Sequence, residues 1–310
     1  MPKNENNAFP ETLGTLLKWG ESELAAAGIP EAALEAGILL ASLLKTERAR
    51  LYLDFDRQIE TSDRDLYKSY IVRRVNHEPV AYITGFIEFY SLPFQVDKRV
   101  LIPRPETEYI LEEILAKVEG SGKSPQYLLD LCTGSGCIAI SCVRFTPQLN
   151  VLGTDLSYEA LELAQANARL NGLSPSPHSR LHFIQSDLFK GIPREYQSRG
   201  FDYIVSNPPY IQHSAIETLM PDVKDYEPVL ALDGGPDGME ILDIILTQAT
   251  QWLKPGGWLI LEIGYDQGDA IKNKLEHSGA YTIESIEIKK DFSNLDRIAI
   301  AQKKESTSYG

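Results

Sequence analysis

Tyr127-Leu128-Leu129-Asp130-Leu131-Cys132-Thr133-Gly134-Ser135-Gly136-Cys137-Ile138-Ala139 decides the fold of this chain. Tyr127 to Leu131 reads as a buried strand, and the glycine-rich turn after it opens a helix from Cys137 to Arg144. Further strands are predicted at Val151–Asp155, Leu181–Gln185, Asp202–Val205 and Trp258–Ile263. Helices fall between them, from Ser157 as N-cap to Asn171, from Met239 to Leu253, and over Gln267–Glu276. Alternation of this kind builds an open, mostly parallel sheet with helices on both faces, an α/β class. The last two strands, Tyr281–Lys289 and Arg297–Gln302, are joined by a short Asn294-Leu295-Asp296 turn. They are expected to pair as a hairpin, which makes one strand antiparallel.

Glycines at the first strand-to-helix turn let a ligand approach the backbone where an open sheet binds it. Asp155 ends the next strand about 20 residues past Gly136, where a carboxylate can accept both ribose hydroxyls of an adenosine. The Gly-x-Gly-x-x-Ala spacing also matches a dinucleotide site, and charge separates the two. Asp130 would stand near a pyrophosphate, which is unfavourable. S-adenosylmethionine has no phosphate and carries an ammonium and a sulfonium. Asp130 suits that cation, although it can equally cap the N–H groups of its own loop. Asp187 ends the third strand, near an adenine edge or simply as a turn former, and Leu188 beside it can wall the adenine.

The fourth strand stops at Asn207-Pro208-Pro209-Tyr210. Two prolines fix φ and remove two donors, so the loop is stiff. The Asn207 Oδ1 and the Pro208 carbonyl are two acceptors for a planar –NH₂ group, and Tyr210 offers it an aromatic face. Accepting both protons of an amide or adenine nitrogen raises its electron density and favours the pyramidal form. These four strand ends share one sheet edge, and together they point to a methyltransferase acting on a planar –NH₂.

Composition agrees with an ordinary globular protein: 310 residues, 43% hydrophobic and 24% charged. That length suggests about two domains. A net charge of −14 disfavours tight nucleic-acid binding. Met1-Pro2-Lys3-Asn4-Glu5 lacks a signal-peptide layout, and no apolar run is long enough to span a bilayer. Cys132, Cys137 and Cys142 read as reduced cytoplasmic thiols. None of His77, His178, His182, His213 and His277 falls in a metal-ligand spacing. Residues 1–77 are expected to form a small all-α module, with Gly28 closing its first helix and a capping box at Ser62 and Asp65. The alternation of Val80, Tyr82 and Thr84, and of Phe94 and Val96, predicts a β-hairpin linker over 78–104. Residues 105–310 form the α/β domain. Gly120 to Pro125 and Asp233 to Gly238 read as loops, and the tail from Lys303 as frayed.

Several stretches resemble the HemK/PrmC peptide chain release factor glutamine methyltransferases. They are Arg73-Arg74-Val75-Asn76-His77-Glu78-Pro79-Val80-Ala81-Tyr82-Ile83-Thr84-Gly85 with Glu88-Phe89-Tyr90, and Leu101-Ile102-Pro103-Arg104-Pro105-Glu106-Thr107-Glu108. Asp130 to Gly136, Asn207 to Tyr210, and Tyr226-Glu227-Pro228 with Ala231-Leu232 continue the match. The resemblance implies a Rossmann-like class I S-adenosylmethionine-dependent methyltransferase domain behind a helical substrate-recognition domain. It implies methylation of the glutamine amide (N5) in the Gly-Gly-Gln loop of release factors, with S-adenosyl-L-homocysteine as product. Cofactor contacts would come from Cys132, Thr133, Gly134, Ser135, Gly136, Asp155, Leu188 and Asn207. Asn207, Pro208, Pro209 and Tyr210 would hold the glutamine, and Phe89, Arg104 and Glu106 would line its pocket. Cys132 stands where the family usually has glycine, and an ordinary β-region φ is expected there. Leu188 stands where an aromatic residue is common.

Other readings share parts of this pattern. A sister enzyme would methylate a glutamine of a ribosomal protein. A nucleic-acid adenine-N6 methyltransferase carries the same Asn-Pro-Pro-Tyr loop but needs a basic surface and room for a flipped base. A cofactor-binding protein without catalysis would not need that loop, and an NAD-dependent oxidoreductase is disfavoured by Asp130.

Overall fold

The computed structural model describes residues 10–122, 125–174 and 179–305. The N-terminal stretch read for a leader, Lys123 and Ser124 of the expected loop, His178, and residues 306–310 of the tail lie outside them. Two compact units divide the chain: Met1–Gly85 with Pro221–Tyr226, and Phe86–Met220 with Glu227–Gly310.

The first unit holds α1 (Leu13–Ala26), α2 (Ala32–Leu43), α3 (Thr61–Val75) and α4 (Val80–Thr84). Leu16, Leu24, Leu39, Leu40, Tyr67 and Ile71 bury together, and the Tyr67 hydroxyl donates to Ala36 O at 3.1 Å. A capping box of two hydroxyls, Thr12 and Thr15, opens α1. The one expected at Ser62 and Asp65 is absent: α3 begins at Thr61 behind Glu60, so Ser62 already lies inside the first turn. Arg74 is buried and donates Nε to Glu35 Oε2 at 2.5 Å, with Asp222 at 3.8 Å. The strand predicted from Val80 is also overturned, because Val80 and Ile83, three apart, pack on the same core. Pro79 fixes the entry to this helix and Gly85, at φ 78°, ends it.

The hairpin lies one step later, β1 (Phe86–Phe89) against β2 (Leu92–Gln95), in the second unit. After it come α5 (Glu108–Ser121), β3 (Gln126–Leu131), α6 (Cys137–Phe145), β4 (Leu149–Asp155), α7 (Tyr158–Leu170) and β5 (Leu181–Gln185). Then follow α8 (Arg194–Arg199), β6 (Phe201–Ser206), the one-turn α9 (Pro221–Lys224, counted in the first unit), α10 (Glu240–Gln248) and β7 (Leu253–Glu262). The chain closes with α11 (Gly268–His277), β8 (Glu287–Lys290) and β9 (Asp296–Gln302). Ser157 is the N-cap of α7 as expected, its side chain accepting from Ala160 N.

Seven strands form one sheet in the order β5-β4-β3-β6-β7-β9-β8. β3 to β7 pair in parallel, while β9 runs antiparallel to both β7 and β8, which is the predicted hairpin. β8 starts later than expected, since Ile283–Ser285 forms a 3₁₀ turn and Ser285 Oγ, not a backbone carbonyl, accepts the Gln302 N–H. Alternate residues serve opposite faces. Leu128, Val205 and Ile260 pack under α5 and α6, whereas Leu129, Ile204 and Leu259 pack under α10 and α11. The chain leaves β3 for β4 and β5 on one side and returns to β6 on the other. The crevice between the carboxyl ends of β3 and β6 is therefore the topological switch point.

Candidate functional site

The glycine-rich turn is built by its own hydrogen bonds. Beyond β3, Thr133 N donates to Thr154 O at 2.9 Å and Gly136 N to Thr133 O at 2.8 Å. The Thr133 hydroxyl donates to Asp130 Oδ2 at 2.6 Å. Gly134 N and Ser157 N donate to the two oxygens of Asp155, at 2.8 and 2.9 Å. Asn167, fully buried on α7, accepts from Gln95 N at 2.7 Å and donates to Gln95 O and Ser135 O at 3.0 and 2.9 Å. It thus clasps the hairpin to the turn.

Cys132 corrects an expectation: its φ is 56°, in the left-handed region rather than the β region. A tight turn directly off the strand requires it, and Gly134 (φ 52°) and Gly136 (φ 80°) continue the same bend. Left-handed φ costs a non-glycine residue roughly 1–2 kcal/mol. Cys132→Gly is accordingly expected to be about 1 kcal/mol more stable than Cys132→Ala, reversing the usual order of the two residues. Urea midpoints of the two variants check this.

The loop after β6 is held from three sides. Ser206 Oγ donates to Leu131 O at 2.8 Å, fixing its root to the neighbouring strand. Asn207 Nδ2 donates to Thr107 Oγ1 at 3.1 Å, and Thr107 Oγ1 donates to Glu262 Oε2 at 2.7 Å. The Tyr210 hydroxyl donates to Glu262 Oε1 at 3.0 Å. Gln267 Nε2 donates to Tyr210 O and Gly238 O, each at 3.1 Å. Further on, Gly234 N donates to Ile211 O and His213 N to Gly235 O, both at 2.8 Å. The segment read as a plain Asp233–Gly238 connection thus backs the loop.

A cavity of about 420 Å³ opens between these elements. Of the expected residues, Cys132, Thr133, Gly134, Ser135, Asp155, Asp187, Leu188, Asn207 and Pro209 line it. Asp130 lies fully buried beneath the turn, where burial lifts its carboxyl to about 7 against the pull of the Thr133 hydroxyl and the Ala139 N–H. Burial also raises Asp155, opposed by the Ser157 and Gly134 N–H groups. Asp187 lines the cavity and also bonds Lys190 Nζ at 2.6 Å, so the turn role and the lining role coexist. Leu188 takes φ 50°.

Gly136, Pro208 and Tyr210 support the cavity from behind and do not line it. Neither do Phe89, Arg104 and Glu106. Phe89 is in the core, edge-on to Phe94 with ring centres 6.1 Å apart. Arg104 Nη2 bonds both oxygens of buried Glu227, at 2.6 and 2.7 Å. Glu106 is half-buried in the 3₁₀ turn before α5. Sequence reasoning missed Thr107, Asn167, Glu262 and Gln267. Glu262 did carry a signal, since it is a lone acid closing an apolar strand, as Asp130 and Asp155 nearly do.

These residues fit S-adenosylmethionine. Gly134 lines the cavity, and nothing lies within 4 Å of where a Cβ would stand on it. Asp155 keeps lone pairs for ribose hydroxyls beyond its two N–H bonds, and Leu156, Leu188 and Ile241 supply apolar wall.

Two family models match, the PrmC N-terminal domain over residues 15–85 and the methyltransferase small domain over 107–222. The chain is similar to the release factor glutamine methyltransferase of Leptospira interrogans, 40% identical over 94% of this chain and 98% of that one. The enzyme of the same name from Rhodopirellula baltica is 36% identical over 96% and 98%. A solved structure, the release-factor-specific protein-(glutamine-N5) methyltransferase from Alicyclobacillus acidocaldarius, is 24% identical with a TM-score of 0.41, covering 68% of this chain and 99% of that one.

Proposed function

This chain belongs to the release factor glutamine methyltransferase family, and we propose that it methylates the side-chain amide nitrogen of the glutamine in the Gly-Gly-Gln loop of peptide chain release factors. When bound, S-adenosylmethionine supplies a methyl group on a sulfonium sulfur. Asp155 holds its ribose, and Asp187 and Leu188 take the adenine edge and face. The observation that carries the reading is Asn207, which lines the cavity while its amide nitrogen is engaged by Thr107. Its Oδ1 accepts a proton of the target amide and orients the nitrogen lone pair, while Pro208, outside the cavity lining, stiffens the loop behind it. The proton leaves to solvent after attack. Tyr210 braces the loop from behind, Phe89 packs the hairpin, and Arg104 holds Glu227. The helical unit grips the release factor, and we read the compartment as the cytoplasm.

The test is incubation with methyl-labelled S-adenosylmethionine and a release factor whose Gly-Gly-Gln glutamine is intact or replaced. Label confined to the intact factor supports the reading. Label on a ribosomal protein or nucleic acid overturns the substrate. Asp155→Ala is expected to raise the cofactor KM about 10–100-fold through lost charged hydrogen bonds, with kcat held at saturation. An unchanged KM refutes the ribose role.

A further inference from the structure

We propose that Glu262 and Thr107 are positioning residues that set which way the Asn207 side-chain amide faces, so that its oxygen and not its nitrogen meets the substrate. The inference rests on the reading of Asn207 as acceptor for the target amide. An asparagine side chain is nearly symmetric in shape, and either end can point into a cavity. Only the polarity of its hydrogen-bond partner decides.

Here that polarity is imposed from a distance. Glu262 is buried at the carboxyl end of β7, and as a carboxylate it can only accept. The Thr107 hydroxyl, 2.7 Å from Glu262 Oε2, must therefore give its one proton to it. The Thr107 oxygen is left as an acceptor, so the group facing it at 3.1 Å must be the Asn207 –NH₂. Oδ1 is then turned toward the cavity that Asn207 and Thr107 both line. The other Glu262 oxygen takes the Tyr210 hydroxyl proton at 3.0 Å, so one carboxylate orients both ends of the Asn-Pro-Pro-Tyr loop. Burial raises the Glu262 carboxyl above its ordinary range, opposed by the two hydroxyl donors, Thr107 and Tyr210, and by the positive charge of Arg297, itself bonded to Asp291 at 3.1 Å. Glu262 reaches the substrate through two other side chains and touches no reacting atom.

The test compares Thr107→Val, Thr107→Ser and Glu262→Gln with the unaltered enzyme, reading methyl transfer to a release factor. It also reads, by NMR without substrate, the solvent exchange of the Asn207 side-chain amide protons. Thr107→Val keeps the shape and removes the hydroxyl; kcat should fall about 100-fold, as for other small misplacements of a reacting group, with the cofactor KM held. Thr107→Ser should restore most of kcat. In the unaltered enzyme and Thr107→Ser, one Asn207 amide proton exchanges slowly; in Thr107→Val and Glu262→Gln that protection is lost. Wild-type kcat in Thr107→Val, or a Thr107→Ser as impaired as Thr107→Val, overturns the proposal. If Glu262→Gln does not fold, the Thr107 pair decides alone. A wild-type enzyme that leaves the release factor unlabelled overturns the substrate reading instead. The amide exchange then decides separately: equal protection in every variant overturns the relay, and the stated pattern upholds it.

Discussion

Asn207→Ala is expected to lower kcat by about 10²–10³-fold while the cofactor KM stays near that of the unaltered enzyme. The amide nitrogen of a glutamine is a poor nucleophile because its lone pair is conjugated into the carbonyl. Asn207 is proposed to act only as that conjugation is broken, when the protons of the target nitrogen become better donors. An interaction that strengthens on the way to the transition state appears in kcat, whereas one made equally to the ground state appears in KM. The substitution also frees Thr107 Oγ1 from its 3.1 Å bond, but Thr107 keeps Glu262, so the loop should remain folded. Steady-state kinetics with a release factor and a separate cofactor titration make the check. Equal losses of turnover and cofactor affinity would mark Asn207 as mainly a cofactor ligand.

A second large effect is a pH dependence of stability that Asp130→Asn removes. Burial raises the Asp130 carboxyl from 3.8 to about 7 in the folded chain. Between those values the folded state holds a proton that the unfolded state has released. Stability from this group is therefore greatest at low pH, falls as pH rises through that window, and levels off above about 7. A shift of that size corresponds to an upper limit of about 4 kcal/mol. Relative to the unaltered protein, Asp130→Asn should gain stability progressively from about pH 4 to about pH 7 and no further. Urea unfolding of both proteins across that range reads the difference directly, since groups common to both cancel. Parallel pH curves would show that another group titrates.

The sheet was legible because its strands are apolar runs buried on both faces, and each run is read locally. Ser157 was legible for the same reason, since a cap is judged by the residues beside it. Val80 to Thr84 was misread because a segment of five residues fits a period of two as well as a period near three. Which one holds depends on the core that Val80 and Ile83 share with α1 to α3. Cys132 was misread because a cysteine does not itself signal a positive φ; the glycine usual there in the resembled family was the sign, and the turn imposes the φ. At the site, Asn207 and Asp155 declared themselves at strand ends. Thr107 and Glu262 did not, because their bond joins residues 155 positions apart and no local pattern records such a partner. Phe89 and Arg104 were carried to the pocket by resemblance; the structure packs Phe89 on Phe94 and pairs Arg104 with Glu227, outside the cavity lining.

The helical unit also carries a consequence for how the chain is made. Arg74 has Glu35 as an early partner, but Asp222 and the Tyr226 hydroxyl, which donates to Asn76 O at 2.6 Å, arrive only after most of the sheet domain has been synthesised. During translation from the N-terminus, the first unit cannot close its last contacts until Tyr226 has cleared the ribosome. A nascent chain stalled short of that residue would expose an unfinished helical unit, more open to protease than the completed one.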